Sequence, residues 1–177
     1  MMKLFEGRLN RRSCITGLII FWILEFVATI PTYIITYSQH FNEFGDLSKL
    51  EATKLLASQF SIFSTGGIIF YILTIAVLFL SLGVCARRLH DLGKPGTLAI
   101  LVILDFLVTR GFAEWVLFSG FKASISTIWV IQIPNIFSAI VGIFVLYLMI
   151  QKGEDMPNKY GEVPPDKSGL KNILLAK

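Results

Sequence analysis

The sequence predicts an all-α membrane protein with about four transmembrane helices. Hydrophobic residues make up 54% of the 177 residues and charged residues only 16%, whereas a soluble domain typically carries about 25% charged residues. The apolar residues are concentrated in blocks, each close to the roughly 20 residues needed to cross a hydrocarbon core of about 30 Å. These blocks lie at about 14–37, 66–88, 97–119 and 125–150. Four such blocks leave too little polar sequence to cover them, which argues against a soluble bundle of buried helices.

The basic residues predict the orientation of these helices. Of the sixteen lysines and arginines, twelve lie before the first block, from the end of the second block to the start of the third, or after the fourth. Cytoplasmic loops carry an excess of such residues, so we expect both chain termini on the cytoplasmic side. The net charge of +4 is then mainly a topology signal, and attraction to anionic lipids is its second consequence. Because the charges are spread along the membrane flanks, nucleic-acid binding is not expected.

The polar segments complete the domain organisation. Residues 1–150 form one four-helix transmembrane domain, and residues 151–177, rich in Gly and Pro, form a cytoplasmic tail. The first external segment, about 38–63, contains Ser48-Lys49-Leu50-Glu51, a capping-box pattern that predicts a short helix lying in the membrane interface. An alternative is that this segment extends the second transmembrane helix towards its N-terminus.

Charged and amide side chains inside the blocks form a first group of candidate residues. A charge at the centre of a helix costs about 2.5–3.5 kcal/mol on insertion scales, so such groups face the bundle interior or reach an interface. Helix geometry places several of them at middle depth, where they predict an intramembrane polar cluster of Glu25, Asp105, Arg110 and Asn135. Arg110 and Glu114 are four residues apart, so either the two pair on one helix face or Glu114 simply lies at the outer interface. The cluster either fixes helix packing or forms a relay for protons or ions.

Three polar strings border the apolar blocks and form the second group of candidates. Gly7-Arg8-Leu9-Asn10-Arg11-Arg12 precedes the first block, and Arg87-Arg88-Leu89-His90-Asp91-Leu92-Gly93 ends the second. Lys152-Gly153-Glu154-Asp155-Met156-Pro157-Asn158-Lys159-Tyr160-Gly161 follows the fourth. Within the second string Arg87 and Asp91 are spaced i,i+4 and are expected to pair. The string either ends a helix with topological charges or builds a site for an anion or a lipid headgroup.

These three strings resemble motifs of the bacterial domain-of-unknown-function family 805, whose members are small polytopic inner-membrane proteins. The resemblance spans most of the chain, with each motif beside the expected helix. It implies about four helices in a bacterial inner membrane and supplies no established activity or ligand. The Arg-Arg-Leu-His-Asp string is the most specific of the three.

The predicted topology places all three motifs on the cytoplasmic face, and we expect their polar side chains to converge there. The arginines would hold a phosphate or lipid headgroup, with Asp91 and Asn158 orienting them. The full candidate set is Arg8, Arg87, Arg88, His90, Asp91, Asn158 and Tyr160.

Three classes of function are compatible with these residues. The first is a non-enzymatic lipid-associated, scaffolding or accessory component, with membrane lipids and a second copy or another membrane protein as partners. The second is an oligomeric transporter or channel for ions or small solutes that uses Glu25, Arg110 and Asn135. The third is an enzyme acting on lipid headgroups through His90 and Asp91. We favour the first, because the chain contains no phosphate-binding loop, dinucleotide-binding glycine pattern or metal-ligand spacing, and we expect no cofactor, metal or catalytic set.

Overall fold

The computed structural model describes residues 5–40, 58, 61–118, 128–165 and 173. Across these ranges the chain forms the long helices α1 (Arg11–His40), α2 (Thr65–Asp91), α3 (Ile100–Phe118) and α4 (Ile128–Ile150). A short 3₁₀ helix, Gly96–Ala99, joins α2 to α3. The described ranges contain no β-strand, only an isolated bridge between Asn158 and Gly161. The all-α prediction is confirmed.

Each of the four helices contributes a segment that is long and apolar enough to cross a membrane. These segments have mean hydropathies of 1.8 to 2.7, and they are Arg11–Ile35, Thr65–Asp91, Gly96–Val116 and Gln132–Ile150. Only 6% of the third segment's window and 17% of the fourth segment's are buried inside the protein. A soluble protein rarely exposes such a large apolar surface. The architecture is therefore that of a multi-pass membrane protein.

The helix ends on the side of the three motifs are set by local capping. Asn10 precedes α1, and its Oδ1 accepts a hydrogen bond from the backbone N–H of Ser13 at 2.7 Å. At the end of α2, Gly93 has a φ of +68°, a left-handed conformation that glycine adopts without a steric penalty. The next backbone N–H, of Lys94, then returns to the carbonyl of Leu89 at 2.9 Å. With these caps, α1 begins at Arg11 and α2 ends at Asp91. Each helix therefore extends three residues beyond the corresponding boundary of its apolar block, at 14 and 88.

The most tightly packed part of the fold lies where α1 begins, α2 ends and α4 ends, which we call the motif end. Helix α1 packs mainly against α2, and α3 packs against α4. The fully buried side chains are concentrated at the motif end and include Leu9, Cys14, Cys85, Leu89 and Leu148. Core residues sit beside the three polar strings, so packing holds the strings in place.

At the opposite end of the bundle, Glu114 of α3 fastens the turn that precedes α2. Its carboxylate accepts hydrogen bonds from the hydroxyl of Ser61 at 3.0 Å, the backbone N–H of Ile62 at 2.9 Å and the hydroxyl of Tyr71 at 3.0 Å. Of the two expectations for Glu114, these contacts agree with a position at the outer interface, and Arg110 lies over the ring of Phe70 instead of pairing with it. The interfacial helix predicted after Ser48 falls outside the described residues.

Candidate functional site

The centre of the motif end is a buried carboxylate held between two arginines. Asp91 lies at the end of α2, and its Oδ1 accepts a hydrogen bond from Arg8 Nε at 3.1 Å. Its Oδ2 accepts one from Arg88 Nη1, one helical turn earlier. The side chains of both arginines are 0% exposed and that of Asp91 is 4% exposed. A buried charge must be compensated. The Asp91 carboxylate compensates both guanidiniums in part, and backbone carbonyls accept their remaining donors.

Arg8 uses its remaining donors to hold the segment that follows α4. Its Nη1 donates to the carbonyl of Met156 at 2.7 Å and reaches that of Gly161 at 3.5 Å. Its Nη2 donates to the carbonyl of Glu154 and lies 3.0 Å from Asp91 Oδ1. A guanidinium has only five N–H groups in a fixed fork. Arg8 is therefore committed to protein acceptors.

Arg88 does the same for the end of α4. Its Nε donates to the carbonyl of Leu148 at 2.9 Å, and its Nη2 donates to that of Gln151. The last carbonyls of a helix lack intrahelical partners, so Arg88 of α2 caps α4. Its Nη1 also approaches the carbonyl of Leu9 at 3.4 Å. One side chain thus joins the N-terminal segment, α2 and α4.

Arg87 points to a different part of the chain. The expected Arg87–Asp91 pair is wrong, because Asp91 pairs with Arg88 and Arg8. Arg87 instead donates from Nη1 to the carbonyl of Ile173 at 3.0 Å. Its own carbonyl accepts the backbone N–H of Leu9 at 3.1 Å. Arg87 therefore connects α2 to the N-terminal segment and to the far part of the tail.

The other three candidate residues form a second layer beside the triad. The imidazole of His90 stacks on the ring of Tyr160, with centroids 3.9 Å apart and planes inclined by 8°, and His90 Nδ1 lies 3.1 Å from the carbonyl of Gly7. Asn158 Nδ2 donates to the carbonyl of His90 at 2.9 Å. Asn158 Oδ1 accepts the backbone N–H of Tyr160 at 2.9 Å. The layer orders the turn Asn158–Gly161 against α2.

Two motif glycines permit this close approach. A Cβ on Gly153 would overlap the carboxylate of Asp91, and a Cβ on Gly93 would overlap that of Glu154. The backbone N–H of Glu154 also donates to the carbonyl of Asp91 at 2.9 Å. The requirement is stricter at Gly153, because two arginines hold the Asp91 carboxylate in place, whereas the exposed Glu154 side chain beside Gly93 can move.

The sequence-predicted residues at the motif end are therefore neighbours in space. Six of them (Arg8, Arg88, His90, Asp91, Asn158 and Tyr160) form the connected layers described above, and Arg87 adjoins them through Leu9. Sequence reasoning missed the contributions of Gly7, Gly153 and Glu154. All three lie inside the polar strings, and this position was the signal that could have predicted their contribution to the site.

The comparison with protein families agrees with the motifs. The model of a family described as "Protein of unknown function (DUF805)" matches residues 2–162, a range that contains all three strings and all four helices. The chain belongs to this family. No curated protein and no solved structure was found to match it.

Other cations of this DUF805 chain are exposed at the motif end. Arg11 and Arg12 lie in the first turn of α1, and Lys94 lies in the turn after α2. Arg11 and Lys152 also line a cleft of about 320 Å³ between the start of α1 and the tail, together with Asn10, Arg88, Asp91, Glu154 and Asp155. Lys152 is paired with Asp155 at 2.6 Å.

The described residues include no grouping of three or more His, Cys, Asp or Glu side chains suited to a metal ion.

The predicted intramembrane cluster is brought together only in part. Glu25, Asp105 and Arg110 line one cavity of about 300 Å³. Asn135 of α4 is not among its lining residues and donates to Gln132 Oε1 at 3.4 Å. Residues 132 and 135 are exposed or half-buried on α4. The candidate cluster therefore consists of the three charged residues, without the asparagine.

Proposed function

We propose that this protein is a non-enzymatic component of a bacterial inner membrane that binds anionic lipid headgroups at its motif end. Both chain termini lie on the cytoplasmic side in this proposal. The family match and the four apolar helices support a membrane protein of this kind. The headgroup site and the orientation rest on the distribution of charge, as follows.

The proposal rests on one observation: some basic residues of the motif end are buried and bonded within the protein, and others are exposed. Arg8 and Arg88 are buried, and their donors are directed at Asp91 and backbone carbonyls. Arg11, Arg12 and Lys94 are exposed at the ends of membrane-spanning helices. Exposed basic residues at this depth attract anionic headgroups, with roughly 1 kcal/mol from each residue near the surface.

This division assigns different roles to the candidate residues. The seven motif residues position the ends of α1, α2 and α4 relative to one another. The exposed cations Arg11, Arg12 and Lys94 then contact the phosphates. Arg11 is oriented towards the end of α4, because its Nη1 lies 3.5 Å from the carbonyl of Ile150.

The same geometry favours a non-enzymatic role over chemistry by His90 and Asp91. Both carboxylate oxygens of Asp91 are engaged by arginines. One face of the His90 ring is covered by Tyr160, and its Nδ1 faces a carbonyl. A general base needs to reach the proton that it abstracts, and these groups are directed at the protein itself.

Native mass spectrometry of the purified chain tests the proposal. The protein is titrated with phosphatidylglycerol or phosphatidylcholine, and the retained lipid is counted. We expect selective retention of phosphatidylglycerol and its loss in the double variant R11Q/R12Q. The matched control is K49Q/K54Q, which removes the same charge from the segment predicted to be external, about 38–63, and should retain the lipid.

Two results would overturn the proposal. One is equal retention of the two lipids by the unmodified chain. The other is an equal loss of phosphatidylglycerol in both double variants, which would mean that net charge alone decides binding. Melting temperatures of the variants, measured without added lipid, separate lost binding from lost folding.

A further inference from the structure

The cavity at middle depth is formed by all four helices. Its wall includes Phe21 and Trp22 of α1, Val77 of α2, Phe106 of α3 and Val145 of α4. Its volume of about 300 Å³ lies at the lower end of the range of about 300–1,000 Å³ for small-molecule sites. Most of the lining is apolar, and the charged groups in it are Glu25, Asp105 and Arg110. This is the usual composition of a site for a small organic ligand.

Three ionisable side chains line the cavity, and two of them are acidic and one is basic. Glu25 and Asp105 each contribute a negative charge when ionised, and Arg110 contributes one positive charge. No other Asp, Glu, Lys or Arg is among the lining residues. Charge inside a membrane protein is expensive unless it is compensated. With both acids ionised the three side chains carry a net charge of −1, which a single positive charge, either a proton or a bound cation, would balance.

The hydrogen bonds that the two acids accept come from hydroxyl groups. Glu25 Oε1 accepts a hydrogen bond from the hydroxyl of Thr74 at 3.3 Å. Asp105 Oδ1 accepts one from the hydroxyl of Ser138 at 2.6 Å. Hydroxyl donors orient the carboxylates without neutralising them. In the part of the chain that the structure describes, Arg110 lies 4.6 Å from the ring centroid of Phe70 and forms no ion pair with either acid.

We propose that this cavity binds a lipophilic monovalent organic cation, an amine or a quaternary ammonium. A bare metal cation prefers several oxygen ligands, whereas this wall is mainly aliphatic and aromatic. Aromatic faces attract organic cations directly, and Phe21, Trp22 and Phe106 are available in the lining. An anion would add to the surplus negative charge. This inference is independent of the headgroup proposal, because the two sites share no residue.

Binding of benzyltrimethylammonium to the full chain in detergent tests the inference. Binding is measured by equilibrium dialysis with empty micelles as the blank, and benzoate is run in parallel as an anion with the same ring. We expect saturable binding of the ammonium compound at one site per chain and no binding of benzoate. We expect E25Q and D105N each to weaken binding by about tenfold, which is the loss of one modest charge interaction.

Substitution of Arg110 tests whether the ligand of this cavity is positively or negatively charged. R110Q removes the opposing positive charge, so it should tighten binding of the ammonium compound, whereas a site for anions would lose affinity. D155N, which removes a carboxylate from the exposed tail, should leave binding unchanged. Absence of saturable ammonium binding, binding of benzoate, or weaker binding by R110Q would each overturn the proposal. The comparison of the two ligands on the unmodified chain decides the matter even where a variant fails to fold.

Discussion

Arg8 and Asp91 are 83 residues apart in the sequence, yet Arg8 Nε lies 3.1 Å from Asp91 Oδ1 in the buried centre of the motif end. Arg8 precedes α1 and Asp91 ends α2, so their contact fixes the starting point of one helix on the end of another. The same guanidinium holds the carbonyls of Glu154 and Met156. One ion pair therefore joins segments from the beginning, the middle and the end of the chain.

The substitution D91N should strongly destabilise the protein. It leaves Arg8 and Arg88 buried without their counter-charge, and breaking a buried ion pair in this way typically costs about 3–5 kcal/mol. The unfolding free energy in detergent is the measurement. The control is D155N, which breaks the exposed Lys152–Asp155 pair and should cost no more than about 1 kcal/mol. Similar losses in the two variants would contradict the central role of Asp91.

The substitution G153A should release the tail from the end of α2. An added Cβ would overlap the Asp91 carboxylate, so the backbone around Glu154 must move away. We expect faster cleavage between residues 152 and 162 in limited proteolysis and a lower melting temperature. G142A is the matched control, because a Cβ on Gly142 meets nothing within 4 Å and alanine favours a helix by up to about 1 kcal/mol. A tail equally protected in both variants would show that the close approach is unimportant.

Glu114 and Tyr71 should be energetically coupled. The Tyr71 hydroxyl donates to Glu114 Oε1 at 3.0 Å, and the same oxygen accepts the N–H of Ile62 at 2.9 Å. A double-mutant cycle with E114Q and Y71F measures this coupling through unfolding free energies. Hydrogen bonds to charged groups contribute about 1.5–3 kcal/mol, so a coupling of about 1 kcal/mol or more is expected. Strictly additive losses would mean that the bond contributes nothing.

Cysteine labelling should place the motif end in the cytoplasm. The native thiols Cys14 and Cys85 are buried, so introduced cysteines can be labelled selectively. F63C lies at the opposite end, where Phe63 is 80% exposed, and K94C lies at the exposed motif end. A membrane-impermeant maleimide added to intact bacterial cells should label F63C, and K94C only after permeabilisation. Labelling in the reverse order would invert the topology.

The number of membrane helices and the grouping of the motif residues follow from the amino-acid sequence alone. A span needs about 20 apolar residues, and this requirement is visible in the composition of each block without any knowledge of its neighbours. The three polar strings were likewise recognisable beside the helix ends. The convergence of Arg8, Asp91 and Asn158 was predictable because helix ends on one side of a membrane must lie at similar depth.

Which of these side chains meet and which remain exposed depends on the packing of the helices. The spacing of Arg87 and Asp91 allows a pair on one helix face, but Arg88 and the distant Arg8 occupy that carboxylate instead. Depth alone placed Asn135 with Glu25, whereas the rotation of α4 leaves it outside the cavity. The spacing of residues in the sequence predicts how deep a side chain lies in the membrane and which face of its helix it occupies. Which partner it contacts depends on how the helices rotate and approach one another. That is why burial of Arg8 and exposure of Arg11 became visible only in three dimensions.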